Sequence, residues 1–307
     1  MKKLFAALLV YLAVWSESAR GDVAVLQPVA DTTLIETVPS NNLGGMAYVN
    51  SGTTQNFARN RGLFRFDFIG SIPRGAWISN VTFSIEVVGK PQDGFLPADF
   101  ELHRLLRPWG EGDKVGDPLH PGLGAPATEQ EATWATPFAL TTNSWSVPGG
   151  GAGTDFVASA SSRATIYAMD DSPYSFNSSP VLVADVASWV DRPGDNYGWI
   201  LICQTESADF TARRFGSREN SVGPPFLRVE FLPPPLIEST ALAGDQFAFQ
   251  FTARAGLSYI VEFKNDLATA GSWLELTNVP AGTADTVQTI VNKLNSSRRV
   301  YRLRIPQ

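Results

Sequence analysis

The sequence predicts an all-β protein built as one large β-sandwich followed by a small one. Three observations carry that expectation. Short runs rich in Val, Ile, Phe and Leu alternate along the whole chain with Gly, Pro, Asn and Asp clusters, the punctuation of strands and turns. The clearest run, Gly62-Leu63-Phe64-Arg65-Phe66-Asp67-Phe68, puts three Phe on one face and Leu63, Arg65 and Asp67 on the other. Pro233-Pro234-Pro235 makes a stiff, extended linker and marks the domain boundary.

Strands are expected in order at Val23–Leu26, Thr32–Glu36, Ala47–Asn50, Gly62–Phe68, Trp77–Val88 and Phe100–Leu106. More are expected at Thr154–Ala158, Thr165–Tyr167, Val181–Val183, Gly198–Gln204, Phe210–Phe215 and Phe226–Phe231. One helix is expected over Asp185–Val190, with Asp185 as its N-cap and Pro193-Gly194 beyond its end. Residues 108–152 carry six prolines and Gly149-Gly150-Gly151. So long an irregular stretch in a compact domain points to function or weak order. Beyond the linker, Gln246–Thr252, Leu257–Phe263, Trp273–Leu276, Thr286–Val291 and Arg299–Arg304 alternate as strands of a small immunoglobulin- or fibronectin-like sandwich.

The N-terminus reads as an export signal over residues 1–21. Lys2 and Lys3 precede an apolar run from Leu4 to Trp15, then Ser18-Ala19-Arg20-Gly21, with cleavage expected between Gly21 and Asp22. No later stretch has the apolar length of a membrane span, so the reading is a secreted, extracellular protein. The charge is uneven. Residues 22–235 hold 14 basic and 23 acidic side chains, net −9, whereas residues 236–307 hold 7 and 6, net +1. A domain at −9 is a poor binder of nucleic acid or an anionic membrane, and argues weakly against a strongly acidic polysaccharide unless arginines cluster locally. Cys203 is the only cysteine, so no intramolecular disulfide forms and the thiol reads as a small buried apolar group.

Two segments about two hundred residues apart frame the large sandwich: Ala30-Asp31-Thr32 with Asn41-Asn42-Leu43-Gly44, and Phe215-Gly216-Ser217-Arg218-Glu219 with Pro225-Phe226-Leu227-Arg228-Val229. Between them, in order, stand Leu63–Asp67 with Ile72-Pro73, Val81–Ile85, His103-Arg104, Trp109-Gly110-Glu111-Gly112, Ala132-Thr133-Trp134 and Asp185-Val186 with Trp189-Val190. On this ordered set, residues 22–232 resemble a DNRLRE (disaggregatase-related) domain, a type grouped with the carbohydrate-binding modules. The resemblance implies a jelly-roll-like β-sandwich, secreted or cell-surface placement, and polysaccharide binding. Residues 236–307 are similar to a small β-domain common at the C-terminus of exported bacterial proteins, on Tyr259–Phe263, Ser272-Trp273 and Arg299–Leu303. Between Gly112 and Trp134 the chain departs from the family layout, with a longer, proline-rich loop.

Catalysis has little to stand on in the sequence. There are two histidines, His103 and His120, and no HExxH, nucleophile elbow or phosphate-cradling glycine loop. Carboxylate pairs such as Glu111 and Asp113, or Asp170 and Asp171, read as solvated turns rather than a glycosidase pair. Sugar binding needs an aromatic platform beside hydrogen-bonding polar groups. Trp109 and Glu111 with Arg107 supply both, although Trp109 plugging the sandwich end and Glu111 pairing with an arginine is slightly favoured. Trp134 and Trp145, in the irregular region, are the better contact candidates. Arg213, Arg214 and Arg218 form the main basic cluster, and Arg213 is assigned to the site. No cofactor is required. A structural calcium would draw on Asp31, Asp67, Asp170 and Asp171, because the ion takes hard oxygen ligands.

The expected function is therefore a secreted, non-catalytic polysaccharide-binding module. The alternative is a structural or adhesive surface protein without glycan specificity; a polysaccharide lyase or esterase is the weaker third. Expected partners are a polysaccharide or cell-surface glycan, and proteins through the C-terminal domain.

Overall fold

The computed structural model describes residues 21–92, 94–167, 169–267, 272–294 and 298–306, without the side chain of Asp170. Apart from Gly21, the expected leader lies outside the described residues. The large domain contains β1 (Asp22–Leu26), β2 (Pro28–Ile35), β3 (Asn41–Asn42), β4 (Tyr48–Thr53), β5 (Arg59–Phe66), β6 (Trp77–Ile85) and β7 (Val87–Gly89). It continues with β8 (Ala98–Arg104), β9 (Ala125–Pro126), β10 (Ser162–Ile166), β11 (Tyr174–Phe176), α1 (Pro180–Asp191), β12 (Trp199–Cys203), β13 (Arg213–Gly216) and β14 (Phe226–Leu232). One sheet runs β1-β14-β6-β11; the other runs β10-β8-β12-β5-β4-β13-β7, with β2 also paired to β5. All named pairs are antiparallel.

The fold class is the predicted all-β sandwich. Phe64, Phe66 and Phe68 enter a core shared with Val81, Phe83 and Val229 of the opposite sheet and with Leu182 and Trp189 of α1. Leu63, one residue out of phase, enters a second apolar cluster, as period-two alternation requires. The expected strand Trp77–Val88 breaks at Glu86: β6 stays in the four-stranded sheet, and β7 crosses to pair with β13. Such crossing strands form the corners of sandwiches.

Three expectations are corrected. Val181–Val183 is not a strand but the first turn of α1. Ser179 caps it by accepting the Leu182 N–H at 3.0 Å, and Pro180 occupies the first helical position, where a missing N–H costs nothing. Asp185 is therefore an interior helical residue, not the cap. It is buried, and accepts hydrogen bonds from Ser161 Oγ (2.6 Å) and Trp199 Nε1 (3.0 Å). Thr154–Ala158 contributes only isolated bridges through Phe156.

The small domain has two three-stranded sheets. One orders β15 (Ser239–Ala243), β16 (Gln246–Ala253) and β19 (Thr286–Lys293); the other orders β18 (Leu274–Val279), β17 (Tyr259–Lys264) and β20 (Val300–Arg304). Phe249, Phe251, Tyr259, Val261 and Ile290 fill the space between them. Trp77 of the large domain packs against this core. No helix among the described residues is long and apolar enough to cross a membrane.

Candidate functional site

The framing segments meet at one charged node. Glu111 accepts the backbone N–H of Asp31 at 2.9 Å and the Arg218 guanidinium at 2.5 and 3.0 Å. Asp31 accepts the Arg218 backbone N–H at 2.8 Å, and Arg218 also reaches Glu219 at 2.9 Å. Asn42 fixes the approach: its amide donates to Glu111 O (2.7 Å) and Ala132 O (2.9 Å), and its carbonyl accepts Gly44 N–H. A Cβ on Gly44 would lie 2.4 Å from Glu111 O, so only glycine fits. Burial holds the Asp31 carboxyl well above the usual range, and the facing Glu219 and Glu111 add to this against the Arg218 N–H. Burial likewise raises Glu111, despite Arg218. The node uses its polar groups to join chain ends, and Glu111 pairs with arginine rather than facing a ligand.

The three tryptophans expected at a sugar site are core. Trp109, Trp134 and Trp145 are each at most 4 % exposed, which removes them as stacking platforms. With Leu63, Leu105, Phe156 and Ile200 they form the cluster on the outer side of the large sheet. Trp109 Nε1 donates to Tyr197 O (2.8 Å) and Trp145 Nε1 to Thr133 O (2.9 Å), so each indole keeps a partner on burial. Arg59 and Arg61 lie over Trp134, and Arg107 over Trp145. The proline-rich stretch is thus a packed cover layer, and Arg107 is bound into it by Asp155 (3.0 Å) and Ser144 O (2.9 Å). Asp155 also accepts Ser146 N–H, Ser146 Oγ–H and Gly151 N–H at 2.6–2.8 Å. Burial pushes its pKa up, but these donors and Arg107 outweigh it and hold the carboxyl below its ordinary value.

Arg213 is also corrected. It is 1 % exposed, and its guanidinium donates to the carbonyls of Tyr167, Leu96, Thr211 and Ala212. Its neighbour Arg214 faces out. The sequence carried the deciding sign: Arg213 is two residues from Phe215, a core residue, and shares its inward face. His103 is buried, with Nδ1 3.0 Å from Val157 O and Nε2 3.3 Å from Glu101. Three of the aspartates considered for calcium have separate local uses: Asp31 in the node, Asp67 accepting Ile69 N–H (3.0 Å), and Asp171 accepting Tyr174 O–H (3.4 Å); the side chain of the fourth, Asp170, lies outside the described residues. Among the described residues no three His, Cys, Asp or Glu side chains gather as metal ligands.

A groove of about 700 Å³ opens beside Arg214. One bank is the β4–β5 hairpin through Thr54, Gln55, Asn56 and Ala58; the other is the loop Leu119–Leu123. The first bank is locked by Thr54 N–H to Ala58 O (2.9 Å) and Phe57 N–H to Thr54 O (3.0 Å). The second is tied to β3 by Asn41 Nδ2 donating to Leu123 O (2.8 Å) and by the β3–β9 pairing. Side-chain amides of Asn50, Gln55, Asn56, Asn60 and Gln92 line it, with Lys90, Arg213, Arg214 and His120, and no Asp or Glu among the described residues.

Arg214 opposes Asn50 on β4 and Gly89 on β7. Its stem crosses Gly89, where a Cβ would lie 3.0 Å from Cδ, and its guanidinium sits 4.5 Å from the Tyr48 ring centre. Neither Arg214 nor Lys90 has a salt bridge among the described residues. Phe57, at the tip of the first bank, is 69 % exposed with φ +59°, a conformation rare for a residue with a Cβ and often found at functional loops.

The groove escaped the sequence reading because its residues come from five separated segments. Comparison with known protein families and with curated proteins finds no match for this chain.

Proposed function

We propose that the chain is an exported, non-catalytic polysaccharide-binding module and that the groove beside Arg214 is its site. The observation that carries this is a groove with no acidic lining residue among the described residues, in a domain of net charge −9, holding two exposed cations, Lys90 and Arg214, with no carboxylate partner among the described residues. A guanidinium fixed on Tyr48 and Gly89 offers several oriented donors at little entropic cost. The amides supply both donors and acceptors for hydroxyls. A glycan bearing carboxylate or sulfate groups would complete the charge balance.

A glycan array on the mature chain, with and without calcium, tests the reading. Binding to acidic glycans that falls at least about tenfold in Arg214→Ala, with melting unchanged, is the expected result. Absence of binding to every polysaccharide would remove it in favour of a structural surface role. Release of reducing ends or unsaturated sugars would replace it with an enzyme.

A further inference from the structure

Seven tryptophans lie among the described residues, and six serve packing. Trp109, Trp134, Trp145, Trp189 and Trp199 are buried, and Trp77 packs against the core of the small sandwich. Trp273, just before β18, is half-buried and belongs to none of the apolar clusters. The ladder shows where it stands. Tyr259 and Val261 of β17 point into the core, so Ile260, Glu262 and Lys264 face outward. Across the ladder Ile260 opposes Arg304, and Glu262 opposes Arg302 and Glu275. The Arg302 guanidinium lies 4.4 Å and the Lys264 ammonium 5.7 Å from the Trp273 ring centre. Arg299 lies over Phe263, on the side of β17 that Tyr259 and Val261 share, and bonds Asn292 of β19, so it belongs to the edge between the two sheets rather than to this face.

The charges here do not cancel. Arg302 and Arg304 share one carboxylate, Glu262, at 2.6 and 3.8 Å. Lys264 has no salt bridge among the described residues. Across the paired strands the outward cations Lys264, Arg302 and Arg304 face two carboxylates, Glu262 and Glu275. These are three of the seven basic side chains of residues 236–307, on the face that carries the one tryptophan among the described residues that packing does not consume.

We propose that the outer face of the β18-β17-β20 sheet is a second carbohydrate-contact surface, separate from the groove, which takes an acidic polysaccharide. Trp273 stacks on a sugar ring, and Lys264, Arg302 and Arg304 meet its carboxylate or sulfate groups. Charge complementarity selects a polyanion. The choice of a polysaccharide over a nucleic acid rests on the function proposed for the groove. Two sites on one chain would raise the apparent affinity for a long polymer beyond that of either alone.

The test is calorimetry on the full mature chain with polygalacturonate and heparin as carboxylate and sulfate probes, laminarin as the neutral polymer, and single-stranded DNA. Trp273→Ala should weaken acidic-polymer binding roughly three- to tenfold without moving the melting temperature. Lys264→Gln, at a side chain with no hydrogen bond among the described residues, should weaken it and lower the salt slope by about one. Repeating both in the Lys90→Ala, Arg214→Ala background separates the two sites: residual binding there should vanish with Trp273→Ala. Unchanged affinity in both variants in both backgrounds overturns the second surface, as does tighter binding of DNA than of either acidic polysaccharide. If the groove variants bind like wild type while the Trp273 and Lys264 variants do not, the groove reading falls and this one stands.

Discussion

The two faces of the large sheet are both buried, but by different means. The inner face meets the second sheet and α1 through regularly alternating residues, Phe64, Phe66, Phe100, Leu102 and Leu201 among them. The outer face is covered by an irregular segment that has almost no strand of its own and is anchored by Trp109, Trp134, Trp145 and Phe156. A sheet can thus be sealed by backbone regularity or by a few large rings whose polar edges are satisfied locally. A long proline-rich stretch on such a face can be core.

The largest test of that equivalence is truncation on each side. Phe83→Ala on the inner side and Trp134→Ala or Trp145→Ala on the outer should each cost about 3–5 kcal/mol in denaturant unfolding. A Trp134→Ala chain that unfolds like wild type would show that the cover is not part of the cooperative core. Next in size is Asp155→Ala, which removes the common acceptor of Ser146, Gly151 and Arg107 and should cost about 2–4 kcal/mol. Loss should appear first as hydrogen exchange across 144–156, leaving the inner strands protected.

Two carboxylates sharpen the comparison with opposite pH signs. The Asp155 pKa is lowered on folding, so its contribution is present above the ordinary aspartate value, about 3.9, and disappears as pH falls through its folded value. The Asp31 pKa is raised, so its contribution is complete below about 3.9 and is lost as pH rises through its folded value. Melting followed against pH should therefore show a flatter acid limb in Asp155→Asn and a flatter loss above the ordinary aspartate range in Asp31→Asn. Identical profiles for all three chains would contradict both assignments. Smallest is Arg214→Ala, expected within about 0.5 kcal/mol of wild-type stability, because the exposed guanidinium has no carboxylate to strand.

Local pattern was enough for most of the sandwich. Strands such as Gly198–Gln204 and Phe226–Phe231 lie within a residue or two of β12 and β14, since a strand that buries one face must alternate. Ser179-Pro180 outranked the β-branched run Val181–Val183 because a satisfied cap and a proline at the first turn decide a helix start. The site was less legible. The sequence singled out tryptophans in loops and Arg213 from an arginine pair; the fold buries all of them and turns Arg214 out into the groove.

By itself, then, the sequence determined the all-β class, the framing of residues 22–232 by matched segments, and which residues of each clear strand share a face. Those follow from short-range sterics and alternation. Only the tertiary structure decided that the proline-rich segment covers the sheet, that Asp31, Glu111 and Arg218 converge, and that Asn50, Asn56, Lys90 and Arg214 line one groove. The physical reason is that burial and convergence depend on contacts between residues dozens to hundreds of positions apart, which no local period records.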